Sequence, residues 1–168
     1  MPPTKAQRAF MERVKATIRT TLESLAQAHP GETLVGYALC TDDDLSSLLF
    51  RAITAEAMAA SNVEDVLWQP TEWPYNDGDD AFASLSEELF AAAGSARNQR
   101  THVSKSYRCL VDSLGECRSE GVFGEEVFLS ALSTDPSEYM ERMEDRWAAR
   151  INAAQVAAER KKWIDKWD

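Results

Sequence analysis

Three consecutive aspartates, Asp42, Asp43 and Asp44, form the densest cluster of charge in the sequence. Carboxylate oxygens are the ligands that Mg²⁺ and Ca²⁺ take in proteins, so the cluster is a candidate cation site. Consecutive side chains of an extended chain point in different directions, however, and the spaced acids of an EF-hand loop do not follow. We therefore favour an ordinary solvated turn at this position.

The segment from Trp68 to Tyr75 is the most distinctive part of the sequence, because it places Trp68, Glu72, Trp73 and Tyr75 within eight residues. Tryptophan and tyrosine are enriched at the centres of interfaces, so these side chains are candidates for lining a groove that takes a ligand or a partner. The alternative is that both tryptophans clamp the loop over the edge of a sheet, and we favour it because large aromatic residues near strand ends usually pack. Glu72 is a candidate general acid without an identifiable second group.

Motifs that support catalysis are absent from the sequence. His29 and His102 lie at predicted helix ends without a nucleophile in an established arrangement, and no phosphate-binding loop, dinucleotide fingerprint or zinc-protease motif occurs. The cysteines Cys40, Cys109 and Cys117 lack Cys-x-x-Cys spacing, which favours reduced packing thiols. We predict no catalytic residue, no metal ligand and no cofactor.

The composition is that of an acidic protein. The net charge is −10 at pH 7 and the pI is about 4.7, so the surface repels the phosphates of nucleic acid and suits a basic protein partner. Solubility alone also explains such acidity, and composition by itself favours that explanation. No apolar run approaches the roughly 20 residues of a membrane span, and the N-terminus lacks the apolar stretch of a signal peptide. We expect a cytoplasmic protein that binds neither nucleic acid nor membrane.

Apolar residues recur at helical spacing in four long segments. They predict helices over 5–28, 80–97 and 103–118, and a final helix that opens at Asp135-Pro136-Ser137-Glu138. In the second helix, the residues that share the predicted inner face are Phe82, Leu85, Leu89, Phe90 and Ala93. Thr54 is a candidate cap for a short helix over 55–60.

Four short segments predict strands, over 33–41, 47–54, 64–69 and 126–133. The first and the last are apolar on both alternating faces, which is typical of strands covered on both sides. The second reads as a hairpin partner of the first, although a helix through 45–60 competes with it. The sequence therefore predicts an α+β fold, with a small, mostly antiparallel sheet of about four strands packed with four main helices.

We predict a single domain over residues 1–168, because this length fits one domain and no linker interrupts it. Its core spans about 5–151, and residues 155–168 form a charged, helical C-terminal extension. In that extension Trp163 and Trp167 lie four residues apart among lysines. We expect the two tryptophans to fold back onto the body of the protein rather than to dock on an acidic partner or a membrane surface.

Three stretches together carry a resemblance to a known family. They are Tyr37-Ala-Leu-Cys-Thr-Asp-Asp-Asp44, the segment from Trp68 through Glu72-Trp73 to Tyr75, and Gly121-Val-Phe-Gly124 before an apolar strand and Ser133-Thr-Asp135. In order and spacing, the chain resembles the bacterial domain-of-unknown-function 4303 family. The resemblance implies an α+β fold with a small antiparallel sheet, and it transfers no established activity and no catalytic residues. Small bacterial families of this kind are often encoded beside secreted toxins, which suggests partner binding.

These observations lead to one main hypothesis and two alternatives. The main hypothesis is a non-catalytic intracellular binding protein, an antitoxin-like immunity protein that neutralises a basic partner such as a toxin domain. The first alternative is a small-molecule enzyme or ligand sensor that uses a cleft near Asp43, Glu72 and Trp73. The second is a structural module or homodimer held through the helix that carries Trp163 and Trp167.

Overall fold

The computed structural model describes residues 2–166, and the predicted role of Trp167 lies outside them. Six α-helices and three strands lie within this part of the chain. In chain order they are α1 (Lys5–Ala28), β1 (Leu34–Thr41), β2 (Leu49–Thr54), α2 (Ala55–Ala60), α3 (Ala83–Ser95), α4 (Gln99–Ser119), β3 (Phe128–Ser133), α5 (Glu138–Ile151) and α6 (Ala154–Ile164). The α+β class is confirmed.

The three strands form one mixed sheet in the order β2-β1-β3. The β1–β2 pair is an antiparallel hairpin, as predicted, whereas β3 runs parallel to β1 with Gly36 opposite Phe128 and Thr41 opposite Ser133. The parallel pair requires a long crossover, and the segment that contains α3 and α4 supplies it. The predicted sheet of about four mostly antiparallel strands is therefore only roughly correct, since the sheet has three strands and one of its two strand pairs is parallel.

The strand predicted over 64–69 does not form. Residues Val66–Trp68 and Pro70–Glu72 are two short 3₁₀ turns instead. Their amides find acceptors three residues back, as in the bond from the Trp68 amide to the Asp65 carbonyl at 3.0 Å, so this backbone needs no neighbouring strand. Pro70 lacks an amide proton and opens the second turn.

Strand β1 is buried on both faces, as its apolar sequence predicts. Tyr37 and Leu39 point into the larger core, which α1, α3 and α4 cover. Ala38 and Cys40 point into a second core on the opposite face, where they meet Trp73 and other residues of the segment after α2. The sheet is thus the middle layer between a helical layer and a layer built largely from an irregular segment.

Side chains, rather than other strands, satisfy the outer edge of β3. Asn152 accepts a hydrogen bond from the Leu129 amide at 2.8 Å and donates one to the Leu129 carbonyl at 2.7 Å. The Tyr107 hydroxyl donates to the Ala131 carbonyl, and Glu144 accepts from the Ser133 amide, each at 2.7 Å. These bonds occupy backbone groups that would otherwise be free to pair with a foreign strand.

The outer edge of β2 is occupied in the same way. The Ser86 hydroxyl, on α3, accepts from the amide of Leu48 and donates to its carbonyl, both at 2.9 Å. Farther along the edge, the Ala52 amide donates to the Tyr75 carbonyl at 2.8 Å, and the Tyr75 amide donates back at 3.2 Å. Both edges of the sheet are therefore blocked over much of their length.

Helix boundaries follow local capping, with one correction. Thr54 caps α2 as predicted, since its hydroxyl accepts from the Ala57 amide at 3.2 Å. The final long helix, α5, was predicted to open at Asp135, but its N-cap is Ser137 and the helix begins at Glu138. The Asp43 carboxylate accepts from the backbone amide and the hydroxyl of Ser137, at 3.1 and 3.0 Å, so a residue distant in sequence fixes this helix start.

The predicted inner face of α3 is correct except at one position. Leu85 and Leu89 are buried, and so is Phe82 in the turn that precedes the helix. Phe90, which was assigned to the same face, is 69% exposed. It lies one residue beyond Leu89, and a step of about 100° around the helix carries its side chain out of the contact with α4.

The C-terminal helix α6 lies against the body of the protein. Its Val156 packs on the second core, and Trp163 is half-buried, as the sequence predicts for this tryptophan. The Lys166 ammonium lies 3.1 Å from the Asp65 carboxylate, which ties the end of the helix to the segment after α2. Over residues 2–166, none of the helices combines the length and the apolar character that crossing a membrane requires.

Candidate functional site

The three aspartates of the β1–β2 loop point in three directions. Asp42 closes a turn by accepting from the amide and the hydroxyl of Ser46, at 2.7 and 2.5 Å. Asp43 holds the start of α5, and Asp44 accepts from the side-chain amide of Gln99 at the start of α4, at 3.2 Å. Within the described chain, no group of three or more His, Cys, Asp or Glu side chains converges as metal ligands would. The three aspartates therefore hold a turn and the starts of two helices in place.

A groove of about 450 Å³ lies beside Asp43 and Asp44, between the N-terminal ends of α4 and α5. Arg100, Tyr139 and Arg142 also line it, and the Arg100 guanidinium stacks over the Tyr139 ring at 5.6 Å. Both arginines are exposed, and Arg142 lies 3.5 Å from Glu138. The groove therefore mixes both signs of charge and presents no single chemical preference.

The structure does not bring together Asp43, Glu72 and Trp73, the three residues of the predicted cleft. Trp73 lies against Gly36 near the start of β1, whereas Asp43 follows the end of the same strand. Five residues of extended chain separate Gly36 from Thr41, a span of roughly 17 Å. Glu72 is exposed beside Trp73, and neither residue lines the groove that contains Asp43.

The two tryptophans of the 68–75 segment pack on the sheet. Trp68 meets the Phe128 ring edge-to-face at 5.1 Å, and Trp73 meets the same ring at 6.1 Å. The buried Trp73 indole donates a hydrogen bond to the Val66 carbonyl at 2.8 Å. A Cβ atom at Gly36 would lie only 2.6 Å from the Trp73 ring, so the glycine makes room for the indole. Both side chains clamp the segment, as the favoured interpretation predicted.

Tyr75 belongs to a polar cluster at the other side of this segment. Its hydroxyl donates to the Glu32 carboxylate at 2.8 Å, and the Thr54 hydroxyl donates to the same oxygen at 2.5 Å. These two hydrogen bonds hold the pKa of Glu32 below its usual value. We call the segment from Trp68 to Tyr75 the aromatic segment. The His29 ring lies 4.0 Å from the Tyr75 ring, so the cluster joins the end of α1, the end of β2 and the aromatic segment. This polar cluster holds the Tyr75 side chain in place.

One lysine inside the protein was missed at the sequence level. Lys15 is buried between α1 and α4, and its ammonium lies 2.9 to 3.0 Å from Glu12, Glu116 and Glu120. Burial lowers the pKa of Lys15, but the hydrogen bonds that its ammonium donates to the three carboxylates outweigh burial and hold that pKa above its usual value. The group stays charged at any physiological pH, so it acts as a structural cation. The available signal was weak: Glu12 lies three residues before Lys15, and Glu116 and Glu120 lie four residues apart at the end of α4.

The strongest feature is a charge asymmetry along the chain. Residues 20–96 contain fourteen acidic residues and one basic residue, Arg51, whereas the rest of the chain contains fourteen acidic and seventeen basic residues. The whole negative excess therefore comes from less than half of the sequence. This signal is readable from the sequence alone, but the overall charge of the chain conceals it.

Part of this acidic stretch packs around one edge of the sheet. Strand β2 is that edge, and α2, the aromatic segment and the turn before α3 pack around it. Helix α5 lies beside β3, at the opposite edge, whereas the end of α6 reaches Asp65 of the acidic part through Lys166. Nine carboxylates of the acidic part have exposed side chains: Glu23, Asp44, Glu56, Glu64, Glu72, Asp77, Asp80, Glu87 and Glu88. We call these nine residues the acidic surface.

Glu144 is an unusual carboxylate on the opposite side of the molecule. It lies on α5, accepts from the Ser133 amide, and has the Tyr107 hydroxyl, Asp145 and Arg160 in its surroundings. Burial raises the pKa of Glu144 to about 7 from its ordinary 4.5, against the opposing effect of the Ser133 bond. The hydrogen bond from the Ser133 amide commits the Glu144 carboxylate to the sheet edge, so its raised pKa affects the stability of the fold.

That consequence is a pH-dependent loss of stability. A folded-state pKa above the unfolded value favours the protonated form, so the stabilisation is full below about pH 4.5 and is lost as pH rises through about 7. Glu144→Gln keeps the acceptor for Ser133 and cannot ionise. We expect the unfolding free energy of the native protein, relative to this variant, to fall by about 2 kcal/mol between roughly pH 5 and pH 8.

Urea denaturation at several pH values measures this difference. Glu141→Gln is the matched control, because Glu141 is an exposed carboxylate on the same helix. Its pH profile is expected to follow that of the native protein. If Glu144→Gln also follows the native profile, Glu144 ionises without cost and the assignment is wrong.

With this geometry established, the comparisons with known proteins identify the family. A sequence model of a domain of unknown function, DUF4303, matches residues 14–153. The chain belongs to this family. The match includes all of the residues proposed above as candidate binding residues, and the resemblance inferred from the three sequence stretches is confirmed. The chain matches no curated protein and no solved structure.

Proposed function

We propose that this member of the DUF4303 family is a non-catalytic, cytoplasmic binding protein whose acidic surface docks on a basic protein. In its most specific form, the proposal is an immunity function, in which the bound chain covers and neutralises a basic toxin domain. The single observation that carries the proposal is the concentration of fourteen acidic residues against one basic residue within residues 20–96. A one-sided field of this kind steers an oppositely charged partner and fixes its orientation.

The candidate residues already form hydrogen bonds within the fold, which favours a binding function over a catalytic one. Asp42, Asp43 and Asp44 hold a turn and two helices, and Trp73 and Tyr75 hold the aromatic segment on the sheet. A general acid or base needs a proton-transfer partner at hydrogen-bond reach of a bound substrate. The bonds described here commit these side chains to the fold instead.

The blocked sheet edges restrict the way in which a partner docks. Because Ser86 and Tyr75 occupy the β2 edge, which lies on the acidic side, an incoming strand has few free backbone groups to pair with. Recognition therefore depends on side chains of the acidic surface. Such contacts between exposed charges weaken as salt screens them.

Capture from the native cell tests the proposal directly. A tagged full-length chain is incubated with lysate at low salt, and the bound proteins are identified by mass spectrometry and eluted with increasing salt. We expect one basic protein at near-stoichiometric level, released by roughly 0.5 M salt because the Debye length shortens to a few ångströms. Recovery of no such partner, or of an acidic one that resists salt, contradicts the proposal.

A matched pair of charge variants then tests which surface is used. The first variant neutralises five members of the acidic surface, namely Glu56, Glu72, Asp77, Asp80 and Glu87, to Gln or Asn. The control neutralises five exposed carboxylates elsewhere, namely Glu125, Glu126, Asp135, Glu141 and Glu159. Because both variants change the net charge equally, only position differs. With the captured partner, calorimetry is expected to show at least about tenfold weaker binding for the first variant and less than about threefold for the control.

A further inference from the structure

Helix α3 carries an aromatic side chain that the fold does not use. Phe90 is 69% exposed, although the chain has six phenylalanines and the other five, Phe10, Phe50, Phe82, Phe123 and Phe128, are all buried. Single exposed apolar residues are common on protein surfaces, so exposure alone decides nothing. The residues around Phe90 on the helix indicate why its exposure matters.

The outer face of α3 is a shallow strip with Phe90 at its centre. Ala83, Glu87, Phe90 and Gly94 follow one another at steps of four, three and four residues, which places them on one helix face. All four are exposed. Small residues at both ends of the strip leave the aromatic ring standing above the helix backbone, and helices pack closely where small side chains let ridges enter grooves.

Carboxylates lie along the N-terminal half of this strip. Asp77 and Asp80 precede the helix, Glu87 lies within the strip beside Glu88, and the first basic residue after the helix is Arg97. Of these carboxylates, Glu88 is paired with Arg13 of α1. The strip therefore combines one large apolar anchor with an anionic rim, which is the arrangement of an interface centre and its boundary.

From these observations we infer that the outer face of α3 is the docking site for a basic amphipathic helix of the partner, whose apolar side covers Phe90 and whose lysines or arginines meet Asp80 and Glu87. The inference rests on the proposed function and locates it at one helix. An amphipathic helix fits this strip because its apolar stripe covers the exposed Phe90 ring. The cations that flank that stripe face the carboxylates of the strip. A second copy of this chain would instead bring the same acids against each other.

The test uses the full-length, isotope-labelled chain and a synthetic amphipathic helix of about 18 residues made of leucine, alanine and lysine. Titration is followed by amide chemical shifts. We expect the largest shifts in α3 and in the turn that precedes it, and saturable binding that weakens as salt is added. Phe90→Ser is expected to weaken binding at least about tenfold, as loss of an interface anchor does.

Val63→Ser is the matched control, since Val63 is the other exposed large apolar residue among residues 2–166 and lies after α2, outside the strip. It should bind the peptide within about threefold of the native chain, and both variants should keep their melting temperatures within about 2 °C because neither side chain is buried. Glu87→Lys should abolish the remaining affinity of the Phe90→Ser variant.

The outcomes separate this inference from the proposed function. Equal binding by the native chain and Phe90→Ser, with affinity lost in the five-carboxylate variant, overturns the α3 site and leaves the acidic surface in place. Absence of peptide binding also overturns the site, whereas the capture experiment decides the proposed function independently. Self-association of the native chain in light scattering that disappears in Phe90→Ser assigns the strip to a second copy and likewise overturns the inference.

Discussion

Replacing Trp73 by alanine is expected to lower the free energy of unfolding by about 4 kcal/mol, which is the range for deleting a large buried aromatic side chain. The indole is 3% exposed, fills the space left by Gly36 and packs against Phe128. Its loss also removes the hydrogen bond to the Val66 carbonyl. Guanidinium denaturation followed by circular dichroism measures the change.

Two further variants make this expectation specific. Trp73→Phe keeps a ring and loses the indole hydrogen bond, so a cost of about 1 to 2 kcal/mol is expected. Phe90→Ala removes an exposed ring and should stay within about 0.5 kcal/mol of the native protein. If Trp73→Ala is as stable as Phe90→Ala, Trp73 is free to serve a ligand and its structural assignment is wrong.

Replacing Asn152 by alanine is expected to cost about 3 kcal/mol, because buried backbone groups lose their partners. The side chain accepts from the Leu129 amide and donates to the carbonyls of Leu129 and Ala148, all within 2.9 Å. It therefore replaces a neighbouring strand along part of the β3 edge. Thermal and chemical denaturation report the loss.

Hydrogen exchange at the Leu129 amide gives a local readout of the same variant. We expect this amide to exchange much faster in Asn152→Ala, while amides in α1 change only in proportion to global stability. Asn62→Ala is the control, since Asn62 is exposed after α2 and should leave both readouts unchanged. A Leu129 amide that stays protected in Asn152→Ala shows that the edge has another partner.

Local pattern was sufficient to predict much of the fold. The two-faced apolar sequence of β1, the helical stripes of α1 and α4 and the cap at Thr54 each depend on residues close together in the chain. The strand prediction over 64–69 failed for a physical reason. The 64–69 segment looks extended, but the contact between the Trp73 indole and the Val66 carbonyl, together with local turn bonds, determines its shape.

For the candidate site, the sequence could indicate which residues to consider but not how far apart they lie in the structure. The sequence singled out Asp43, Glu72 and Trp73, yet it gives no distance between the two ends of β1, where the structure places Trp73 and Asp43. Conversely, the acidic bias of residues 20–96 needs no structure, although only the structure shows that α2 and the aromatic segment of this stretch pack at the β2 edge. The exposure of Phe90 follows from where α4 packs, which periodicity on α3 alone does not specify.

The loop between β1 and β2 has a further consequence for how this chain can change. Exposed hairpin loops ordinarily accept extra residues at little cost. Here an added residue after Asp42 would carry Asp43 away from Ser137 and Asp44 away from Gln99 together, which would release the starts of α5 and α4. The number of residues in this loop is therefore as constrained as their identity, and the loop works as a fixed spacer between the sheet and two helices.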